Sequence, residues 1–337
     1  MALRDRMTNA LRRLAGLGLA AVLAGCAANY QPMGTSVGSA RLTDTTIVAG
    51  DGYELPLRTW VPDGQPVQAA VVALHGFNDY SNAFERAGKF LTNYGVATYA
   101  YDQRGFGATR ERGIWAGADT LVADARTAID LVRAKHPGVP VYLMGESMGG
   151  AVTLATLTRP GAPRVDGTIL VAPAVWGRET MSFLPRAALW VSYNLVPGMH
   201  VVAPKGLKIK PSDNIEMLRA FSRDPMVIKE TRVDALQGLT NLMDEALDAC
   251  DRLQVPALVL YGANEQVLPP KPVKRAINAL GGSGRHVVAV YPEGYHMLLR
   301  DLKGEVVLGD VASWIRTPNE QLVSGADRGP RELVAAK

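Results

Sequence analysis

The chain has 337 residues, 47% of them hydrophobic and 20% charged, which is enough to bury a sizeable core and excludes a disordered or fibrous protein. Its net charge of +4 is concentrated at the start, where Arg4, Arg6, Arg12 and Arg13 face only Asp5. Beyond residue 25 the charge is nearly balanced, so no clustered basic face for nucleic acid is expected.

Residues 1–25 read as a secretory leader: a basic segment, then an apolar stretch over residues 14–23 that is too short to span a bilayer as a stable helix. It ends in Leu23-Ala24-Gly25-Cys26, which resembles the lipobox of bacterial lipoprotein signal peptides. The resemblance implies cleavage before Cys26, lipidation of that cysteine, and a place in the bacterial cell envelope. Ala27 stands where inner-membrane retention usually needs aspartate, so the outer membrane is the implied address. With Cys26 lipidated, Cys250 is the remaining thiol and no internal disulfide can form. Residues 26–44 are rich in Gly, Ser, Thr and Ala and read as a tether.

From residue 45 onward strand and helix patterns alternate. Residues 45–62 read as a hairpin turning at Asp51-Gly52. The runs AAVVALHGF, VATYAYD, VYLMGES, TILVAPAV, ALVLYGA and HVVAVYPEG are short and mostly rich in β-branched or aromatic residues, as expected of parallel strands buried on both faces. Between them, Leu121, Ala125, Ala128, Ile129 and Val132 recur at helical spacing before His136-Pro137-Gly138. The alternation predicts an open, mostly parallel α/β sheet. It breaks over residues 177–252, which lack a strong strand signal and read as a helical cap over the C-terminal edge of the sheet. In that cap Trp190, Tyr193, Leu195, Val196 and Met199 are expected either to pack the cap or to line an apolar entrance. The α/β core is then residues 45–176 and 253–317, with a polar, loosely held tail over 318–337.

Gly145-Glu146-Ser147-Met148-Gly149 lies between an apolar strand and a helix-forming run, the strand–turn–helix setting of a nucleophile elbow. Glycines flanking a strained serine relieve clashes between strand and helix, and the helix N-terminus directs free N–H groups at developing negative charge. Of the five histidines, His136 ends a helix and reads as solvated, His286 enters the last strand, His200 lies in the cap and His75 belongs to a loop. His296 follows the last strand and a glycine-containing loop, which suits a general base for Ser147. The Phe77 N–H in the LHGF segment and the Met148 N–H form the expected oxyanion hole. Asp102 and Arg104 are expected to form a structural ion pair or loop brace, without a part in the chemistry.

The segments LHGF, YDQRGFG, GESMGG, YGANEQVLPP and YPEGYHMLLRD resemble the α/β-hydrolase superfamily. Within it they resemble the monoacylglycerol lipase or lysophospholipase-like group, also called serine aminopeptidase S33-like. The resemblance implies an eight-stranded, mostly parallel sheet with a helical cap after the sixth strand. It also implies Ser147 as nucleophile, His296 as base and the residue at position 265 as acid. That position is usually aspartate in the family, and here it is Glu265. A glutamate can hold and charge-stabilise the imidazole if its loop is set slightly farther back. Glu179, after the preceding strand, is the alternative acid, and Asp301 reads as a local cap or pair. The expected activity is hydrolysis of acyl esters of monoacylglycerols or lysophospholipids at a membrane, with no metal or organic cofactor. Rival readings are thioester or amide hydrolysis, acyl transfer, a catalytically silent envelope module and a cargo-binding lipoprotein.

Overall fold

The computed structural model describes residues 27–202, 209–282, 284–318 and 320–328. Cys26 and the leader lie outside the described residues. Among the described residues a sheet of nine strands, numbered in chain order, runs in the order β1-β2-β3-β5-β4-β6-β7-β10-β11. Its members are β1 (Arg41–Leu42), β2 (Thr46–Val48), β3 (Glu54–Trp60), β4 (Ala69–Leu74), β5 (Val96–Tyr101), β6 (Val141–Glu146), β7 (Gly167–Val171), β10 (Ala257–Gly262) and β11 (His286–Tyr291). The pairings β1–β2, β2–β3 and β3–β5 are antiparallel and the other five are parallel. Eight of the nine match the expected strands; the addition is the two-residue β1, which pairs with β2. Short β8 (His200–Val201) and β9 (Thr231–Arg232) pair separately in the cap.

The two-sided burial expected of the central strands is realised residue by residue. In β4, Ala70, Val72 and Leu74 enter one core while Ala69, Val71 and Ala73 enter the other. Helices α2 (Ala118–Lys135), α3 (Met148–Thr158) and α7 (Pro270–Gly281) pack into the first core. Helices α1 (Glu85–Thr92) and α8 (Gly304–Arg316) pack into the second. The second core includes Trp314, which is 1% exposed. Burying a side chain of that size is worth about 1.5–3 kcal/mol or more in transfer free energy, so α8 is firmly held.

Three segments are placed differently from the sequence expectation. The stretch after Cys26 is a strap fastened to the domain, not a free tether: the Gln31 N–H donates to the Trp115 carbonyl at 3.0 Å, and Met33 N–H to Thr120 Oγ1 at 3.1 Å. Its short polar side chains left no apolar period to read, and its anchorage is by hydrogen bonds to partners eighty residues away. The start of the tail is likewise held, with Leu322 buried at 2% and the Val290 N–H of edge strand β11 donating to the Ala326 carbonyl. Finally, α6 (Val233–Ala249), expected within the cap, buries Leu242, Met243, Ala246 and Leu247 in the first core. It lies against α3, so the cap proper is α4 (Phe183–Leu195), α5 (Ile215–Arg223) and the β8–β9 pair.

Candidate active site

The turn between β6 and α3 holds Ser147 at φ 53°, ψ −115°, a region that an L-residue occupies only when its surroundings impose it. The surroundings are visible at the glycines. A Cβ on Gly149 would sit 1.9 Å from the Leu74 carbonyl oxygen, and one on Gly145 2.3 Å from the Gly149 oxygen. The chain around Ser147 is tied by its N–H to the Val171 carbonyl at 2.9 Å and by its carbonyl to the Ala174 N–H at 2.9 Å. Met148 is the first residue of α3, so its N–H has no partner within the helix. The Phe77 N–H, on the loop after β4, donates no backbone hydrogen bond among the described residues. That loop is fixed by His75, whose Nδ1–H donates to the Gly76 carbonyl at 2.8 Å while Nε2 accepts from the Gln103 N–H at 3.0 Å. Complete burial lowers the His75 pKa, so this imidazole is a neutral structural group.

On the far side of the cavity two loops cross backbone to backbone. A Cβ on Gly262, which ends β10, would lie 2.3 Å from the Gly294 carbonyl, and the Asn264 N–H donates to that same carbonyl at 2.9 Å. This approach delivers the acid to the histidine: Glu265 Oε2 is 2.7 Å from His296 Nδ1, with side-chain exposures of 2% and 7%. Glu265 Oε1 accepts the N–H groups of Val267 at 2.6 Å and Leu268 at 3.0 Å. Burial alone would raise the Glu265 pKa, but the His296 charge and these hydrogen bonds outweigh it and hold the carboxyl below its ordinary range. Burial alone would likewise lower His296, yet Glu265, assisted by Glu146, outweighs it and raises the imidazole above its ordinary value. With the proton on Nδ1 directed to Glu265, Nε2 is the acceptor nitrogen.

The rival acids are elsewhere. Glu179 is half exposed and paired with Arg275. Asp301 accepts Ser212 Oγ at 2.6 Å and the Tyr295 N–H at 2.7 Å, bracing the loop that carries His296. Asp102 and Arg104 do not pair: Asp102 accepts the N–H groups of Ser81 and Ala108. Arg104 instead binds Asp51 at the hairpin turn and Asp124 on α2, both at 2.7 Å. Burial raises the Asp124 pKa to about 6 even against this guanidinium. His136 is bonded by the Tyr99 hydroxyl at 2.7 Å, and so is only partly solvated. Cys250 is 2% exposed, and burial pushes its thiol up to about 12.

Ser147, His296, Phe77 and Met148 line one cavity of about 880 Å³, within the ordinary range for small-molecule sites. Its upper walls are apolar, including Trp176, Met181, Leu189, Leu239 and Met243. Sequence reasoning missed the charged cluster at its edge. Arg300 Nη2 lies 2.8 Å from Asp79 and 3.0 Å from Glu146, which immediately precedes the serine. These three groups tie the histidine loop, the β4 loop and the elbow together. The only sequence signal was a glutamate inside the elbow motif, which an otherwise apolar strand end does not need.

The serine aminopeptidase S33 family profile (Hydrolase_4) matches residues 65–303. The chain belongs to this family. Its curated relatives include monoacylglycerol lipase from Mycolicibacterium smegmatis, 28% identical over 78% of this chain and 93% of the relative. Human monoglyceride lipase is 27% identical over 76% and 84%. Among solved structures, Paleococcus ferrophilus monoacylglycerol lipase superposes with a TM-score of 0.62 at 22% identity, over 78% of this chain and 98% of that one, which demonstrates the shared fold. The chain is therefore a serine ester hydrolase with the α/β-hydrolase fold.

Proposed function

We propose that this chain is a lipid-anchored lipase of the bacterial envelope, seated on the outer membrane through Cys26, that hydrolyses monoacylglycerols or lysophospholipids. The observation that carries the acyl-ester reading is a single cavity of about 880 Å³ with an apolar roof and a buried His296–Glu265 pair beside Ser147. The names of the relatives favour monoacylglycerol over lysophospholipid. Ser147 Oγ attacks the ester carbonyl while His296 Nε2 takes its proton, and Glu265 stabilises the resulting imidazolium. The Phe77 and Met148 N–H groups receive the oxyanion, each contributing about 2.7–4 kcal/mol to the transition state. The protonated His296 returns its proton to the departing alcohol oxygen. Water then attacks the acyl-enzyme by the same route and releases the fatty acid.

The test combines fluorophosphonate labelling with turnover of monoacylglycerols, lysophospholipids and p-nitrophenyl esters of rising chain length. Labelling confined to Ser147 and a preference for long-chain monoacylglycerol are expected. Folded protein that neither labels nor turns over any ester would end this reading.

A further inference from the structure

Cap helix α4 turns Trp190 and Leu195 outward, exposed by 66 and 69%, so neither sequence expectation for them holds. The other cap helix, α5, is tied to the catalytic loops by the segment that leads into it, residues 210–214. Ser212, in the middle of that segment, is fully buried. Its hydroxyl donates to Asp301 Oδ1 at 2.6 Å and accepts the Asn214 N–H at 3.1 Å. Asn214 in turn caps α5 by accepting the Met217 N–H at 3.1 Å. The far end of α5 then brings Phe221 and Ser222 to the wall of the cavity.

The bonds made by this segment fall beside the triad residues. The Lys210 N–H donates at 3.0 Å to Oε1 of Gln266, the residue after Glu265. The Met297 N–H donates to the Pro211 carbonyl at 2.9 Å, and the Tyr295 N–H to Asp301 Oδ2 at 2.7 Å. The chain is thereby fixed on both sides of His296. Around Asp301 itself, Asn214 Nδ2 donates to the Arg300 carbonyl at 3.1 Å and the Leu302 N–H to Asp213 Oδ1 at 2.8 Å. Burial pushes the Asp301 carboxyl up to about 6, so at neutral pH it is an anion that accepts from Ser212 and Tyr295 at once.

We propose that Ser212 and Asp301 are positioning residues for the catalytic base, and that through them α5 and the His296 loop form one mechanical unit. This inference rests on the Ser147, Glu265 and His296 triad of the proposed function. Neither positioning residue is among the described residues that line the cavity, so both act through the loop and not on substrate. An anchor for the cap could fall anywhere along the rim of the sheet, whereas these bonds converge on the neighbours of Glu265 and His296. Without the Ser212 hydroxyl, Asp301 Oδ1 is left unpaired in a buried site, where the desolvation cost is uncompensated. The carboxylate then turns away and releases the Tyr295 N–H. Turnover depends on the approach of His296 Nε2 to Ser147 Oγ, and a displacement of about 1 Å in such a pair costs about 10²-fold.

The test is steady-state turnover of a soluble p-nitrophenyl ester by Ser212→Ala and Asp301→Ala, with active sites counted by fluorophosphonate labelling carried to completion. Per labelled site, kcat should fall about tenfold for Ser212→Ala and about 10²-fold for Asp301→Ala, with KM within about twofold of wild type. The double variant should be no more than about threefold slower than Asp301→Ala, because both changes break one path. Loss of a cavity wall would instead raise KM and leave kcat in place, and that result overturns the proposal.

Hydrogen exchange of the wild-type protein tests the same coupling even where a variant does not fold. Peptides covering residues 210–218 and 295–302 should show protection within about tenfold of each other, since one opening exposes both. A wider gap between them overturns the proposal. A wild type that turns over no ester overturns the proposed function and this inference together. An active wild type whose Ser212→Ala variant keeps its kcat overturns this inference alone.

Discussion

Replacing Glu265 with glutamine removes one negative charge while preserving side-chain length and most of the shape of a site where both partners are nearly water-free. The hydrogen-bond distance is 2.7 Å, which sets the centres of carboxylate and imidazolium charge about 4 Å apart. At an effective dielectric constant of about 20 that separation corresponds to about 4 kcal/mol. In the proposed mechanism the active enzyme starts with a neutral imidazole, and the His296 charge develops as Ser147 attacks the ester and again as water attacks the acyl-enzyme, so the loss falls on kcat. At 1.36 kcal/mol per decade, the substitution should cost about 10³-fold. The amide can also donate to Nδ1 and select the wrong tautomer, which extends the expected loss to about 10³–10⁴. Glu265→Asp supplies the complementary perturbation: it keeps the charge but withdraws it by about one bond length and forfeits the fit to the Val267 and Leu268 N–H groups. Its loss should be smaller than that of the glutamine variant. The assay is kcat and KM on a soluble p-nitrophenyl ester, with circular dichroism to verify folding. Turnover of Glu265→Gln within tenfold of wild type would falsify the assignment of the acid.

The pH dependence follows from the same pair. Glu265 raises the His296 pKa and the neutral imidazole is the base, so the acid limb of kcat/KM should have its midpoint above the ordinary histidine value of about 6.5, with activity lost as pH falls through it. Glu265→Gln should move that limb to lower pH even as the rate drops, and an unmoved limb would contradict the coupling. Arg104→Met leaves Asp51 and Asp124 buried without their counter-charge. It should destabilise the fold by about 3–5 kcal/mol in urea titrations, and a change under 1 kcal/mol would mean that the cluster relaxes or is solvated. Gly149→Ala drives a methyl group into the Leu74 carbonyl and should abolish fluorophosphonate labelling, either by displacing the elbow or by unfolding the domain. In a Cys26→Ser background, Cys250 should resist alkylation at pH 8 in the folded protein and react after denaturation, given its burial and a thiol pKa pushed up to about 12.

The sheet and the candidate residues of the site were legible because their signals are local. Strands buried on both faces must be apolar at nearly every position, so β4, β5, β6, β7, β10 and β11 could be read from runs of five or six residues. Gly145, Ser147 and Gly149 satisfy one steric constraint within five residues. The β10–Gly262–Glu265 order brought an acid to the end of a strand regardless of what lay opposite.

Tertiary structure alone decided which distant groups meet. Arg104 chose Asp51 and Asp124 over the nearby Asp102 because the hairpin turn and α2 converge on it, 53 and 20 residues away in the chain. Arg300 joined Glu146 across 154 residues. The strap was invisible as structure because its bonds run through backbone and short polar groups, which leave no periodic trace in sequence. The same holds for α4, since hydrophobicity records that Trp190 and Leu195 avoid water but not whether they turn inward or outward. Sequence therefore indicated the fold and the candidate reactive groups, where chemistry restricts the residue at each position. The direction the cap faces was settled only by packing, where many sequences are compatible with either answer.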